Sequence, residues 1–285
     1  MKIRAFAKIN LGLDVIRRRE DGYHEVRMIM QTIGLGDELV IERTDDPCIR
    51  ITVSRDDLPV NEDNLIHKAA KLMMDEYDLP GGISVDLTKN IPVAAGLAGG
   101  STDAAAVLKA VNELYGLGIT RDRLMELGVR IGADVPYCVM GGTCLAEGIG
   151  EILTPLPACP EWTVVLAKPP VGVSTAHVYK SLDINNVIHP DIDKIAEGIK
   201  KADFAAVTGN MGNVLESVTV SEIPYIGYIK KIMADHEGFP LMSGSGPTVF
   251  GLFASDAKAR EAYEELDRAD YVSELFITGI TDGRA

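Results

Sequence analysis

The residues best suited to chemistry lie in the run Pro92-Val-Ala-Ala-Gly96-Leu-Ala-Gly-Gly100-Ser-Thr-Asp-Ala-Ala105. Six of the nine residues from Pro92 to Gly100 are glycine or alanine. Small side chains let the main chain approach a ligand closely. A helix starting here would add unpaired N–H groups and the positive end of its dipole. Phosphate is the usual occupant of such a cradle. The hydroxyls of Ser101 and Thr102 could bind phosphate or Mg²⁺. No lysine follows the glycines, so this is not a Walker A loop, and the spacing is not GxGxxG. A tight strand-to-helix turn capped by Ser101 is the simpler reading, but the density of small residues favours phosphate. Asp103, in the first helical turn, is expected to complement the dipole rather than hold Mg²⁺.

Other candidates are weaker by themselves. Ser243-Gly244-Ser245-Gly246-Pro247 precedes an apolar stretch and, alone, signals only a turn. Asp134, in Gly132-Ala133-Asp134-Val135-Pro136, could accept a proton from a substrate hydroxyl. It could equally cap a turn just past a helix end, and spacing alone favours the cap. Lys8 lies mid-strand, where a lysine is ordinarily solvated. Cys48, Cys138, Cys144 and Cys159 contain no CxxC pair, and the five histidines form no HExxH. No metal site or disulfide framework is expected, and the thiols are read as reduced and buried.

The elements that must position these residues follow from periodicity. Ile3, Ala5, Ala7, Ile9, Leu11, Leu13 and Val15 alternate with polar residues that include Lys8 and Asn10. This predicts a strand over 3–15, with Lys8 and Asn10 facing away from the core. Asp21-Gly22 is a turn. A second strand covers 26–33, residues 34–37 read as a turn, and 38–43 with 48–54 continue the sheet. Helices are predicted over 63–77, 102–115 and 120–130, the last capped by Thr120. Ile83, Val85 and Leu87 mark a further strand. Pro155, Pro157 and Pro160 interrupt the pattern, which suggests domains 1–155 and 156–285. Beyond them, strands are predicted over 162–167, 247–253 and 275–280, and helices over 174–182, 223–236 and from Asp256. The class is α+β with largely antiparallel sheets.

Composition excludes several functions. The formal net charge of −14 argues against a nucleic-acid surface, which needs clustered cations. No stretch approaches the roughly 20 apolar residues of a membrane helix. Charges alternate through the N-terminal residues, unlike the apolar centre of a signal peptide. A cytoplasmic protein acting on small molecules, as a monomer or homodimer, is expected.

Together these pieces resemble a superfamily. Ala7-Lys8-Ile9-Asn10-Leu11, the run 92–105 and the loop 242–248 occur in the order of the three motifs of the GHMP kinases, named after galactose, homoserine, mevalonate and phosphomevalonate kinases. Asp21-Gly22-Tyr23-His24, Glu62-Asp63-Asn64-Leu65-Ile66, Gly132-Ala133-Asp134-Val135-Pro136 and Ala146-Glu147-Gly148-Ile149-Gly150-Glu151 narrow the resemblance over essentially the whole chain. They match the branch acting on 4-diphosphocytidyl-2-C-methyl-D-erythritol in the non-mevalonate isoprenoid pathway. A homoserine or mevalonate type of GHMP kinase is the alternative, and the Asp-Gly-Tyr-His turn opposes it.

The resemblance implies a ribosomal-S5-like N-terminal domain and a ferredoxin-like α/β sandwich, with the active site in the cleft between them. It implies ATP and Mg²⁺, and it assigns Lys8 and Asp134 as the catalytic pair against both plain readings above. Pro92, Val93, Ala94, Ala95, Gly96, Leu97, Ala98, Gly99, Gly100, Ser101 and Thr102 would bind the nucleotide. Asn10, Tyr23 and His24 match substrate-binding positions, and Tyr179 would stack on the other face of the cytosine. Met30 stands where relatives carry an aromatic residue near the substrate.

Overall fold

The N-terminal alternation produces a long antiparallel pair. In the computed structural model, which describes residues 1–283, β1 (Lys2–Arg18) runs against β2 (His24–Thr44) from the Lys2↔Val40 pair to Arg18↔His24. The register shifts between Phe6 and Lys8 and again between Asn10 and Gly12. Such bulges re-aim side chains and recur beside active sites. The turn predicted over 34–37 does not form, because β2 passes through it unbroken. Gly36 pairs with Phe6, and a Cβ on it would lie 2.8 Å from the Ala5 carbonyl oxygen. The glycine there serves close strand approach rather than chain reversal.

The chain continues through β3 (Ile49–Val53), α1 (Leu65–Glu76), β4 (Gly82–Thr88), α2 (Gly99–Leu114), α3 (Arg121–Val129), α4 (Val135–Met140), β5 (Thr143–Glu147) and β6 (Ile152–Pro155). Asn64 caps α1 and Thr120 caps α3 through their side chains, as Asn and Thr do at N-caps. The later part holds β7 (Thr163–Lys168), α5 (Thr175–Ser181), α6 (Ile192–Lys200), α7 (Phe204–Thr208), β8 (Gly212–Asn213), α8 (Glu216–Glu222), α9 (Tyr225–Asp235), β9 (Phe239–Met242), β10 (Val249–Phe253), α10 (Asp256–Leu266) and β11 (Glu274–Gly279). Among the described residues no helix is long and apolar enough to cross a membrane.

A seven-stranded sheet has the path β3-β4-β2-β1-β8, with β5 joined to β2 and β6 to β5. A four-stranded antiparallel sheet has the order β11-β7-β10-β9. Among the described residues only β3–β4 and β1–β8 pair in parallel. Apolar clusters join residues from both halves of the chain. Leu13 and Met30 pack in one cluster with Val165, Val249 and Phe253, and Ile9 and Leu11 pack with Leu166 and Phe250. Cys144 and Cys159 are buried as expected, whereas Cys48 is exposed, on the turn before β3.

This shared packing brings the two glycine-rich loops together. Ser243 Oγ donates to the Gly96 carbonyl at 2.9 Å. Asn213 Nδ2 donates to the carbonyls of Met242 and Gly244, both at 2.8 Å, so a buried amide braces the later loop. The loop 243–247, read alone as a turn, is thus the wall against which the first loop is seated. Gly96 has φ +76, and a Cβ there would lie 2.0 Å from the Ser243 carbonyl oxygen. Gly96→Ala should therefore destabilise the protein by about 2–4 kcal/mol through strain and overpacking. Urea denaturation measures this, and an unchanged midpoint would show that the loops do not meet so closely.

Candidate active site

A cleft of about 1020 Å³ opens where the loops meet. Lys8 and Asn10 reach it from β1. Both are buried, at 5% and 0% exposure, so the face predicted to look away from the core is a cleft wall covered by the later half of the chain. Lys8 Nζ donates to Asn10 Oδ1 at 2.8 Å and to the Gly96 carbonyl at 3.0 Å. These two neutral acceptors point the ammonium into the cleft, and burial makes such partners necessary. Asn10 Nδ2 contacts Met28 Sδ at 3.2 Å.

Asp134 is the residue that starts α4, not one that closes a preceding helix. Its side chain makes no capping hydrogen bond. The six-residue helix with Pro136 in its first turn was too short for periodicity to reveal. Asp134 Oδ2 stands 4.0 Å from Lys8 Nζ, and its side chain is 33% exposed. That separation exceeds a hydrogen bond. It leaves the carboxylate free to accept from a third group placed beside the ammonium.

Residues 92–101 all line the cleft. The helix α2 begins at Gly99, three residues before its predicted start, so its first-turn N–H groups fall inside the glycine-rich run. Ala98, at the N-cap, and Ala94 take left-handed φ values of 58 and 50, which L-residues adopt at a cost of about 1–2 kcal/mol each. Strain of this kind concentrates at functional sites. Ser101 lines the cleft, but Thr102 does not. The Thr102 hydroxyl is buried and donates to the Phe6 carbonyl at 2.7 Å, tying α2 to β1.

Two groups of lining residues differ in chemistry, an aromatic arm and an aliphatic one. The first contains Tyr23, His24 and Tyr179, with the His24 and Tyr179 rings 5.2 Å apart and inclined by 40°. Tyr23 is 59% exposed. Partial burial, reinforced by the Arg18 charge, lowers the His24 pKa below its ordinary value. The Tyr179 phenol is pushed up by burial and then by the Asp134 charge. Arg18, Lys180 and Ile184 also line this arm and went unnoticed in the sequence. Met30 is fully buried in the core and absent from the lining, where Met28 stands instead.

The other arm is lined by Leu58, Pro59, Asn64, Leu65, Leu87 and Lys89. The run 62–66 stood out in the sequence without a role. Its place here follows from Asn64, whose Nδ2 donates to the Pro59 carbonyl at 2.7 Å while its Oδ1 caps α1.

No group of three or more His, Cys, Asp or Glu side chains among the described residues is placed to hold a metal. Mg²⁺ bound to nucleotide phosphates needs only one or two protein oxygens and keeps several waters. Ser101 and Asp134 both present oxygens to the cleft, so the donor set fits a phosphate-borne cation.

Comparison with known proteins gives the family and the fold. The description "GHMP kinases N terminal domain" matches residues 64–142, and "GHMP kinases C terminal" matches 195–273. The 4-diphosphocytidyl-2-C-methyl-D-erythritol kinase of Lachnospira eligens is 57% identical over 258 residues, covering 90% of each chain. That of Geobacillus kaustophilus is 48% identical over 93% of this chain and 92% of its own. A crystal structure of 4-(cytidine 5'-diphospho)-2C-methyl-D-erythritol kinase superposes with a TM-score of 0.84 at 33% identity, covering 98% of this chain and 99% of its own. A homoserine kinase from Cytophaga hutchinsonii, at 21% identity and a TM-score of 0.78, shares the fold over 99% of this chain and 95% of its own. The chain belongs to the GHMP kinases and, within them, to the 4-diphosphocytidyl-2-C-methyl-D-erythritol kinase family.

Proposed function

We propose that this chain transfers the γ-phosphoryl group of ATP to the 2-hydroxyl of 4-diphosphocytidyl-2-C-methyl-D-erythritol. The observation that carries the proposal is the approach of Lys8 Nζ to Asp134 Oδ2, at 4.0 Å, beside the loop at Gly96. An acceptor hydroxyl placed between them would give its proton to Asp134. Its oxygen would attack the γ-phosphorus, a new P–O bond would form, and the bond to the β-phosphate oxygen would break to release ADP. Lys8 would stabilise charge on the acceptor oxygen and the moving phosphoryl group. Phosphoryl transfer needs positioning and charge stabilisation more than covalent help, so these two side chains and a main-chain cradle suffice.

Residues 92–101 would hold the phosphates, with the Ser101 hydroxyl beside them. Mg²⁺, when bound, would supply charge neutralisation on those phosphates. The arm with Tyr23, His24 and Tyr179 would take the cytosine, stacking it between aromatic faces and bonding its polar edge. The opposite arm, with Leu58, Leu65 and Leu87, is then left for the adenosine. Binding the acceptor by its remote cytidine end fixes the reacting hydroxyl near the phosphates. A border between N- and C-terminal domains near 155/156 is consistent with β6 ending at Pro155. A homoserine or mevalonate-type acceptor would leave the aromatic arm without a role.

A coupled ADP-release assay with this acceptor tests the reading, and absence of turnover would end it. Asp134→Asn should lower kcat by about 10²–10⁴ while the folded signature is retained, the range for loss of a general base. Tyr23→Ala should raise KM for the acceptor by about tenfold, in line with base stacking on one aromatic face, and leave KM for ATP nearly unchanged. Equal effects on both would remove the stacking assignment. His24 binds a proton less readily in the folded than in the unfolded chain. Its stabilising contribution should therefore be present above about pH 6.5 and lost on acidification through its lowered folded value. An NMR titration should find that midpoint below the free imidazole value.

A further inference from the structure

Asp37 is a fully buried carboxylate in the middle of β2, and nothing in the transfer step uses it. Its Oδ1 accepts from the main-chain N–H of Asn90 at 2.6 Å and of Ile91 at 2.8 Å. Its Oδ2 accepts from Lys89 Nζ at 2.5 Å. The Asn90 side chain donates to the neighbouring Gly36 carbonyl at 3.0 Å. Three consecutive residues leaving β4 are thus fastened to one point of β2 immediately before Pro92. Lys89 Nζ also donates to Asp103 Oδ2, at 2.6 Å, in the second turn of α2, one turn beyond the position expected from the sequence. One carboxylate therefore reaches both ends of the glycine-rich loop, the entry directly and the exit through Lys89.

The loop needs such a clamp. Ala94 and Ala98 hold left-handed conformations that they would relax if the ends were free. The middle is held separately, by Lys8 and Ser243 on the Gly96 carbonyl and by the Lys8 main-chain N–H on the Leu97 carbonyl. The ends depend on a buried network of two carboxylates and one ammonium. Its balance is tight, since Asp103 Oδ1 is buried without a hydrogen-bond partner. Burial keeps the interaction between these charges strong. Lys89 lines the cleft, so a change in its anchoring is felt at the nucleotide.

We propose that Asp37, acting through Lys89 and the Asn90 and Ile91 main-chain N–H groups, is a positioning residue that sets the spacing of the phosphate cradle and hence the affinity for ATP. This deepens the kinase reading and rests on it.

The test uses the full chain, with ATP binding measured by calorimetry in the absence of acceptor. Asp37→Asn preserves size and an acceptor for the two N–H groups but removes the charge facing Lys89. It should weaken ATP binding by at least about tenfold, the loss expected for a charged hydrogen bond. KM for the cytidylyl acceptor should change by less than about twofold, since Tyr23, His24 and Tyr179 make no hydrogen bond to Asp37, Lys89 or Asp103. Asp103→Asn should give the same split. The double variant should bind ATP about as weakly as Asp37→Asn alone, because both act through one lysine.

A folded Asp37→Asn protein with a lower melting temperature but unaltered ATP affinity would show a merely structural role and overturn the proposal. So would equal losses for ATP and acceptor, or additive losses in the double variant. If Asp37→Asn does not fold, unaltered ATP affinity in Asp103→Asn overturns it. A wild-type chain that binds ATP but does not phosphorylate the acceptor would remove the proposed reaction and leave this binding test standing.

Discussion

The Gly96 carbonyl accepts from Lys8 Nζ on one side and from Ser243 Oγ on the other. This single oxygen joins the first strand, the first glycine-rich loop and the late one. Gly96 can stand there because it lacks a Cβ, which would meet the Ser243 carbonyl. A buried ammonium needs acceptors. Lys8 finds them in the Gly96 carbonyl and Asn10, and is thereby fixed within reach of Asp134. The position of the candidate catalytic pair therefore depends on how closely three distant segments pack.

The packing works because the long β1–β2 pair carries two functions. Ile9, Leu11 and Leu13 enter cores shared with the later sheet, while Lys8 and Asn10 emerge at irregularities in the register and face the cleft. The rigid ladder holds the polar pair, and the bulges aim it. On the other wall, α2 starts inside the glycine-rich run, so its free N–H groups and the strained alanines face the same space. The lining residues fall into two chemical groups. One is aromatic and holds a histidine whose pKa burial lowers, and the other is mainly aliphatic and includes Lys89.

Much of the fold was legible from local patterns. The alternation of β1, the apolar stripe of α2, the Thr120 cap and the strands β7, β10 and β11 all appear near their predicted positions, whereas β9 was not predicted. The errors have identifiable causes. Gly34 and Gly36 suggest a turn, but glycine also permits close strand contact, and only the partner strand distinguishes the two. The short helices α4, α7 and α8 contain too few residues for a stripe to emerge. The candidate site was legible in part. The glycine-rich run 92–100 announces itself as a candidate phosphate loop by its density of small residues. Lys8 and Asp134 do not, because a lone lysine in a strand and a lone acid in a turn are ordinarily solvated. Their suggested pairing came from resemblance to a family. Thr102 shows the reverse case, since a hydroxyl in the right run is spent on the Phe6 carbonyl.

By itself the sequence determined most of the longer strands and helices, marked the glycine-rich run between β4 and α2 as a candidate phosphate cradle, and gave the net charge on which the expectation about nucleic acid rests. These depend on neighbouring residues and on net charge, which local order contains. Tertiary structure decided which polar residues meet. It put Lys8 beside Asp134, drew Asp37 to the base of the first glycine-rich loop, set Met28 rather than Met30 in the cleft, and seated the late glycine-rich loop against the first. The reason is that burial and proximity between residues far apart in the chain arise only when the two sheets pack on a common core, and no local period records that packing.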